Sequence, residues 1–332
     1  MSRPGYFVCA EPEAVSRTLD LCAGPGGWDE GARSLGLNLD ISGFDLSPNA
    51  CATASAAGHR RSVADIRALD IADFSEVTGA IMSPPCPTFS KGGLRTGLGR
   101  DYQRVLDVWT SIGWGIDPEE AIEEVDAVED ERTALLALAG LWALGLPNLE
   151  WLAMEQVPAV EFAWEDLAAE LFATDWEWVD VMTIDAADYG VPSRRRRSFL
   201  VAHRTMPGAP WSLPEKQTSM AEALGWAPGH RVNTRGNRNS AGGNEFSADK
   251  PSWCLTGSTR TWARDDGLRL TPAEAGTLVG FRPDYPWHGS RSAAFLQAAD
   301  VVSPPIAAGV LARIPGLATA GLPFDFTEMA AA

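Results

Sequence analysis

Arg17-Thr18-Leu19-Asp20-Leu21-Cys22-Ala23-Gly24-Pro25-Gly26-Gly27 is the stretch whose reading decides the fold class. Its first six residues read as a strand, residues 23–27 as a tight turn, and Trp28 to Leu35 as a helix. A glycine-rich turn between strand and helix lets backbone N–H groups approach a ligand at the positive end of the helix. Such turns occur in many α/β proteins, so this one alone indicates an architecture and not a chemistry.

The pattern repeats on either side of Gly79. Leu39 to Asp45 reads as a second strand with an acid at its end. Ser47-Pro48-Asn49 opens a helix through Ala57, and Ser62 to Ile66 reads as a third strand carrying Asp65. An acid about 20 residues beyond the glycine turn can bind ribose hydroxyls, although a helix-capping Asp is a common alternative. Gly79-Ala80-Ile81-Met82 is a short apolar strand. Further strands are expected at Asn148–Met154, Trp176–Ile184 and Ser198–Ala202, with a helix at Arg132–Leu144. Residues 117–131 hold nine acids and read as a solvated helix face or insertion. The alternation predicts an α/β fold, a doubly wound, mostly parallel sheet. From His203 to about Asp266 prolines interrupt the pattern, which predicts a small irregular second domain. The expected bounds are 1–203, 204–267 and a return to the first domain at 268–332. The return opens at Thr271-Pro272-Ala273-Glu274, a capping-box pattern with proline at the first helical position.

Composition narrows the class. With 332 residues and 45% apolar content the chain can bury a large core. No apolar run reads as a membrane span, and Met1-Ser2-Arg3-Pro4-Gly5 lacks a secretory pattern. Five scattered cysteines form neither a zinc pattern nor a disulfide framework. The expectation is a cytoplasmic monomer without metal. The net charge is −17, yet residues 190–264 hold twelve basic and four acidic residues, a local +8 that leaves −25 elsewhere. A basic segment on an acidic body fits one-sided contact with nucleic acid.

After Met82 come Ser83-Pro84-Pro85-Cys86-Pro87-Thr88-Phe89-Ser90 and a basic, glycine-rich run from Lys91 to Arg100 that includes Arg95. A lone cysteine is usually a small buried hydrophobe. A thiol on a stiff proline turn at a strand's carboxyl end is instead placed to attack something in a crevice. Flanking prolines have no use in hydride transfer. The turn at Gly24 also misses the dinucleotide spacing, since the sixth residue is Asp29. Both points argue against a nicotinamide dehydrogenase.

Taken together, these residues resemble the cytosine carbon-5 DNA methyltransferase family in motif order. The match runs through Asp20 to Gly27, Asp45, Asp65, Pro84-Pro85-Cys86 with Phe89-Ser90, Glu155-Gln156-Val157, Ala187 to Arg197, Leu270 to Ala275 with Gly280-Phe281, and Gln297 to Ala307. The chain departs from the family at Cys22 (usually aromatic), Met82-Ser83 (Gly-Gly), Pro87 (Gln), Gln156 (Asn), Ser193 (Gln) and Asp300 (Asn).

The resemblance implies a Rossmann-like class I methyltransferase fold with S-adenosylmethionine as methyl donor and S-adenosylhomocysteine as product. It implies Cys86 as nucleophile, Glu155 on the N3 and amino edge of cytosine, Arg197 on its carbonyl oxygen and Arg195 holding the site. The implied cofactor residues are Asp20, Cys22, Ala23, Gly24, Gly26, Gly27, Asp45, Leu46, Asp65, Ile66, Pro84, Asp300 and Val301. The implied partner is double-stranded DNA with its target base flipped out, in a prokaryotic or phage-encoded setting. Contacts are expected from Ser90, Lys91 and Arg95, and from Arg231, Arg235 and Arg238 of the basic segment, which forms the target-recognition domain. A tRNA cytosine methyltransferase of the same fold and a catalytically silent DNA-binding relative are the alternatives.

Overall fold

The computed structural model describes residues 16–85, 100–208, 217–236 and 243–317. Seven strands form the main sheet: β1 (Ser16–Leu21), β2 (Leu39–Asp45), β3 (Arg61–Val63), β4 (Gly79–Met82), β5 (Trp151–Gln156), β6 (Trp178–Asp185) and β7 (Arg196–His203). Their order is β3-β2-β1-β4-β5-β7-β6. The first five are parallel, and β7 runs antiparallel to both β5 and β6. The sheet is therefore mostly parallel, as expected, with an antiparallel strand inserted near one edge.

The central strands β4 and β5 are buried at every position, which is why β4 and the first four residues of β5 read as continuous apolar runs and not as an alternation. Helices α1 (Gly27–Ser34) and α2 (Pro48–Ala56) connect the first strands; α3 (Arg100–Gly113), α4 (Pro118–Asp126) and α5 (Glu131–Gly145) lie between β4 and β5; α6 (Glu161–Ala173) follows β5. One face of the sheet buries Trp109, Leu136, Leu141, Trp142 and Trp164. Close approach has a glycine signature here. A Cβ on Gly140 would run into the Trp109 indole, and one on Gly79 into Trp151. The acidic run forms α4, with Ala121 and Val125 turned inward at i,i+4 and its glutamates 120, 123 and 124 away from the core.

A second, three-stranded antiparallel sheet, β10-β8-β9, is made by β8 (Arg231–Asn233), β9 (Glu245–Ser247) and β10 (Ala263–Arg264), after the short helix α7 (Met220–Ala223). The segment expected to be irregular thus holds a small sheet. Its Val232, Phe246 and Trp262 share one apolar cluster with Leu278 of α8 (Pro272–Leu278) and Phe295 of α9 (Arg291–Asp300). Helix α10 (Pro304–Leu311) then packs back on α1. By length and composition Arg291–Leu311 could cross a membrane, but it is divided between α9 and α10 and 83% of its most apolar window is buried inside the protein.

The capping box at α8 forms as read. Thr271 Oγ1 accepts from Glu274 N–H at 3.2 Å, and the Glu274 carboxylate accepts from Thr271 N–H at 2.7 Å. Thr271→Ala is expected to cost about 1 kcal/mol, read as a lower urea midpoint with an unchanged slope.

Candidate active site

The turn after β1 is held in left-handed backbone at Cys22 (φ 57°), Gly24 (φ 56°) and Gly26 (φ 108°). Cys22 is the unusual member, since non-glycine residues seldom occupy that region. Asp45, at the end of β2, braces the turn: Gly24 N–H donates to its Oδ2 at 2.8 Å and Ser47 N–H to its Oδ1 at 2.7 Å. The Tyr285 hydroxyl donates to the Pro25 carbonyl at 2.5 Å. The three glycines serve different ends. A Cβ on Gly27 would collide with the Val302 carbonyl, and one on Gly26 would lie 2.7 Å from the Tyr285 hydroxyl; at Gly24 nothing lies within 4 Å. Only Gly24 therefore leaves open space for a ligand, while Gly26 and Gly27 allow close packing.

A cavity of about 820 Å³ runs along the carboxyl edge of the sheet. Cys22, Ala23, Gly24 and Gly27 line it after β1, Asp45 and Leu46 after β2, Asp65 and Ile66 after β3, and Pro84 after β4. Glu155 of β5, Arg197 of β7, Asp300 and Val301 complete that wall. Ligands of open α/β sheets sit at this edge. Arg197 reaches it because β7 is antiparallel, so its first residues lie beside the last residues of β5, with Gln156 opposite Ser198.

Two of the expected cofactor residues, Asp20 and Gly26, do not line the cavity. Asp20 is buried beneath the turn, its carboxyl oxygens without a hydrogen bond, 3.8 Å from the Arg61 guanidinium. Arg61 in turn pairs with Asp29 at 2.5 Å. Burial drives the Asp20 carboxyl well above the usual range, against the pull of Arg61. Both residues are supports of the turn. Asp65 follows β3 instead of ending it, caps the 3-10 turn Ile66–Ala68 and pairs with Arg67 at 2.7 Å, which lowers its pKa.

At the other end, Glu155 is 7% exposed, and its Oε1 lies 2.8 Å from Arg197 Nε. Burial raises the Glu155 pKa, and Arg197 and Arg195 offset this only in part. Arg195 is buried away from the large cavity. It donates to the Ala299 carbonyl and, at 3.0 Å, to that of Asp300, so it pins the segment that carries Asp300 and Val301. Burial and the neighbouring Arg197 bring its pKa down to about 10. Asp300 lines the cavity, and burial raises its pKa against the pull of Arg195 and Arg197.

Two departures from the family pattern acquire a role. Gln156 Nε2 donates to the Pro84 carbonyl at 2.7 Å while its Oε1 accepts from Val157 N–H at 2.7 Å. Ser83 Oγ accepts from the Trp28 indole N–H at 3.0 Å. Together they fasten the proline turn from both sides. Cys86, Ser90, Lys91, Arg95 and Arg238 lie outside the described residues.

Arg231 on β8 and Arg235 in the turn after it are exposed and away from the cavity lining, with Arg231 Nε 3.2 Å from Glu245. The local +8 does not form one binding face. Arg194 pairs with Asp185, Arg197 with Glu155 and Arg264 with Asp266, while Arg204 donates to the Leu149 carbonyl and lies over Trp176. Several of these partners lie outside the segment in which the charges were counted. Glu131 and Leu135 of α5 and Leu296 of α9 also line the cavity. They belong to helices that no local motif marks, so the sequence held no signal for them. Among the described residues no group of three or more His, Cys, Asp or Glu is placed to hold a metal ion.

Residues 16–111 match the family described as C-5 cytosine-specific DNA methylase. The Type II methyltransferase M.AplI of Arthrospira platensis is 28% identical over 205 residues, covering 60% of this chain. The match spans about half of that relative, 48% of its length. Among solved structures, the Entamoeba histolytica methyltransferase EhMeth superposes with a TM-score of 0.64 at 15% identity, covering 90% of this chain and 97% of that one. The S. pombe Dnmt2 methyltransferase gives 0.63 at 16%, covering 90% and 97%. A putative DNA modification methyltransferase encoded within an E. coli prophage gives 0.60 at 16%, covering 89% and 97%. These structural likenesses establish the fold.

Proposed function

From the match of residues 16–111 to the C-5 cytosine-specific DNA methylase family and the likeness to a Type II methyltransferase, we propose that the chain transfers a methyl group from S-adenosylmethionine to carbon 5 of a flipped-out cytosine in duplex DNA. One observation carries the reading. A single cavity joins the glycine turn, Asp45 and Asp65 to Glu155, Arg197 and the Pro84-Pro85 turn that precedes Cys86.

The residues fit the cofactor. The cavity is of a size that holds nucleoside-like ligands. Leu46, Ile66 and Leu296 offer apolar walls, Asp45 an acid held by two backbone N–H groups and open to ribose hydroxyls, and Gly24 an open backbone approach. When bound, S-adenosylmethionine supplies an electrophilic methyl group on a sulfonium.

The chain's own residues do the rest. The Cys86 thiolate adds to carbon 6 of the cytosine, and the ring electrons move to carbon 5. Glu155 holds the N3 and amino edge as charge shifts, and Arg197 faces the carbonyl oxygen. Once carbon 5 has gained the methyl group it loses its proton, and the thiolate leaves carbon 6. The target base must leave the stack for this to happen. Gln156 acts through the Pro84 carbonyl as a positioning residue. Gln156→Ala is expected to lower kcat about 10-fold and leave S-adenosylhomocysteine affinity within twofold of wild type, about the resolution of such assays, in steady-state kinetics and calorimetry.

The test is transfer of labelled methyl to mixed-sequence duplex DNA and to tRNA in parallel, with base-resolution mapping. Label at cytosine carbon 5 of the duplex supports the reading. Label only on tRNA replaces the substrate, and no label on either removes the proposed activity.

A further inference from the structure

The geometry points to a nucleobase-stacking platform at Trp253, a contact for the DNA strand outside the catalytic cavity; the inference rests on the DNA reading above. Three exposed Trp or Phe side chains occur among the described residues: Trp114, Phe172 and Trp253. Trp114 follows α3 and Phe172 lies on α6, whereas Trp253 lies beside the arginine strand. Ser252 forms a parallel bridge with Ser193; Ser252 N–H donates to the Pro192 carbonyl at 2.9 Å, and Arg194 N–H to the Ser252 carbonyl at 2.8 Å. Bridge partners point to one face, and both serines are fully buried. The next residue on each side, Trp253 and Arg194, therefore turns outward, and both are exposed.

The Trp253 ring is backed on one side. Phe246 of β9 stacks on it with centroids 4.9 Å apart at 23°, and Trp262 braces Phe246 edge-on at 5.1 Å and 69°. A ring stacked on one face and 40% exposed presents its other face to solvent. Alternation along residues 194–197 sends Arg195 and Arg197 inward and leaves Arg194 and Arg196 outside. Arg194 is anchored to Asp185 at 3.3 Å, and the Arg196 guanidinium has no partner among the described residues. A π-face backed by Phe246, next in the chain to the residue whose carbonyl holds the exposed Arg194, suits a stacked base with its adjoining phosphate. A single ring between charges is too small an apolar surface for a protein partner.

The test is anisotropy of a fluorescein-labelled mixed-sequence DNA duplex at fixed salt, with labelled tRNA in parallel. Trp253→Ala and Trp253→Leu are expected to weaken duplex binding about 10- to 100-fold, and Trp253→Phe by no more than about threefold. The leucine variant keeps an apolar cover over Phe246 and so separates stacking from packing. All three should bind S-adenosylhomocysteine as the wild type does, which reports an intact fold. Wild-type duplex affinity in the alanine and leucine variants, with the wild type methylating that duplex, overturns the platform and leaves the methyltransferase reading standing. A loss confined to tRNA overturns the assignment to DNA. A wild type that neither binds nor methylates the duplex overturns both readings.

Discussion

Cys86→Ala is expected to abolish methyl transfer, with a loss of at least about 10⁴-fold, the scale on which removal of a covalent nucleophile acts. Without addition to carbon 6, carbon 5 of cytosine carries too little electron density to accept a methyl group, and no described side chain at the cavity offers a competent thiol. Cys22 lines the same cavity, but burial and the neighbouring acids Asp45, Asp20 and Asp65 push its pKa far above the ordinary thiol range, so it stays protonated and inert. The variant keeps its cofactor site, because Asp45, Asp65 and Gly24 are held by bonds that do not involve residue 86. Two readouts separate the step from binding. Wild type should form a denaturant-stable adduct with duplex DNA carrying 5-fluorocytosine, and the variant should form none. Calorimetric affinity for S-adenosylhomocysteine should be unchanged. Turnover by Cys86→Ala above about 1% of wild type, far more than the expected residual, would remove Cys86 from the mechanism.

Glu155→Gln is the second large effect, with kcat falling about 10²- to 10³-fold, as for loss of one group aimed at developing charge. The glutamine keeps the shape and one acceptor but cannot carry the proton that a carboxyl shares with N3. Its pH behaviour gives a separate check. Burial raises the folded-state pKa of Glu155 above its unfolded value. The stability this contributes is full below the unfolded value and is lost as pH rises through the folded one. Glutamine does not titrate, so the stability of Glu155→Gln relative to wild type should rise with pH across that window. Urea unfolding at several pH values reads the difference. A relative stability that falls with pH would mean that the Arg197 pair, and not burial, governs this carboxyl.

The elements that the sequence made legible are those written in local patterns. The glycine turn, β2 with Asp45 at its end, the apolar run of β4 and the capping box at Thr271 all stand where their residues predict, while the strand expected at Asn148–Met154 forms at Trp151–Gln156 and takes in Glu155. Asp65 was assigned to a strand end and instead caps a 3-10 turn, because its carboxylate reaches the Arg67 N–H only two residues on. The resemblance implies Asp20 as a cofactor residue, but its side chain lies beneath the turn near Arg61, 41 positions away in the chain.

By itself the sequence determined the fold class and the order of the motifs that carry the family resemblance, since periodicity, glycine and proline placement and residue spacing act within a few residues. The tertiary structure alone decided which residues meet. Insertion of antiparallel β7 beside β5 places Arg197 within 2.8 Å of Glu155, and residues spread from Asp45 to Asp300 come to share one cavity. It also dispersed the basic segment, pairing Arg194, Arg197 and Arg264 with acids at 185, 155 and 266, beyond the segment that was counted. The reason is physical. Burial and charge pairing are set by whatever lies adjacent in space, and strand order, which no local pattern encodes, sets that adjacency.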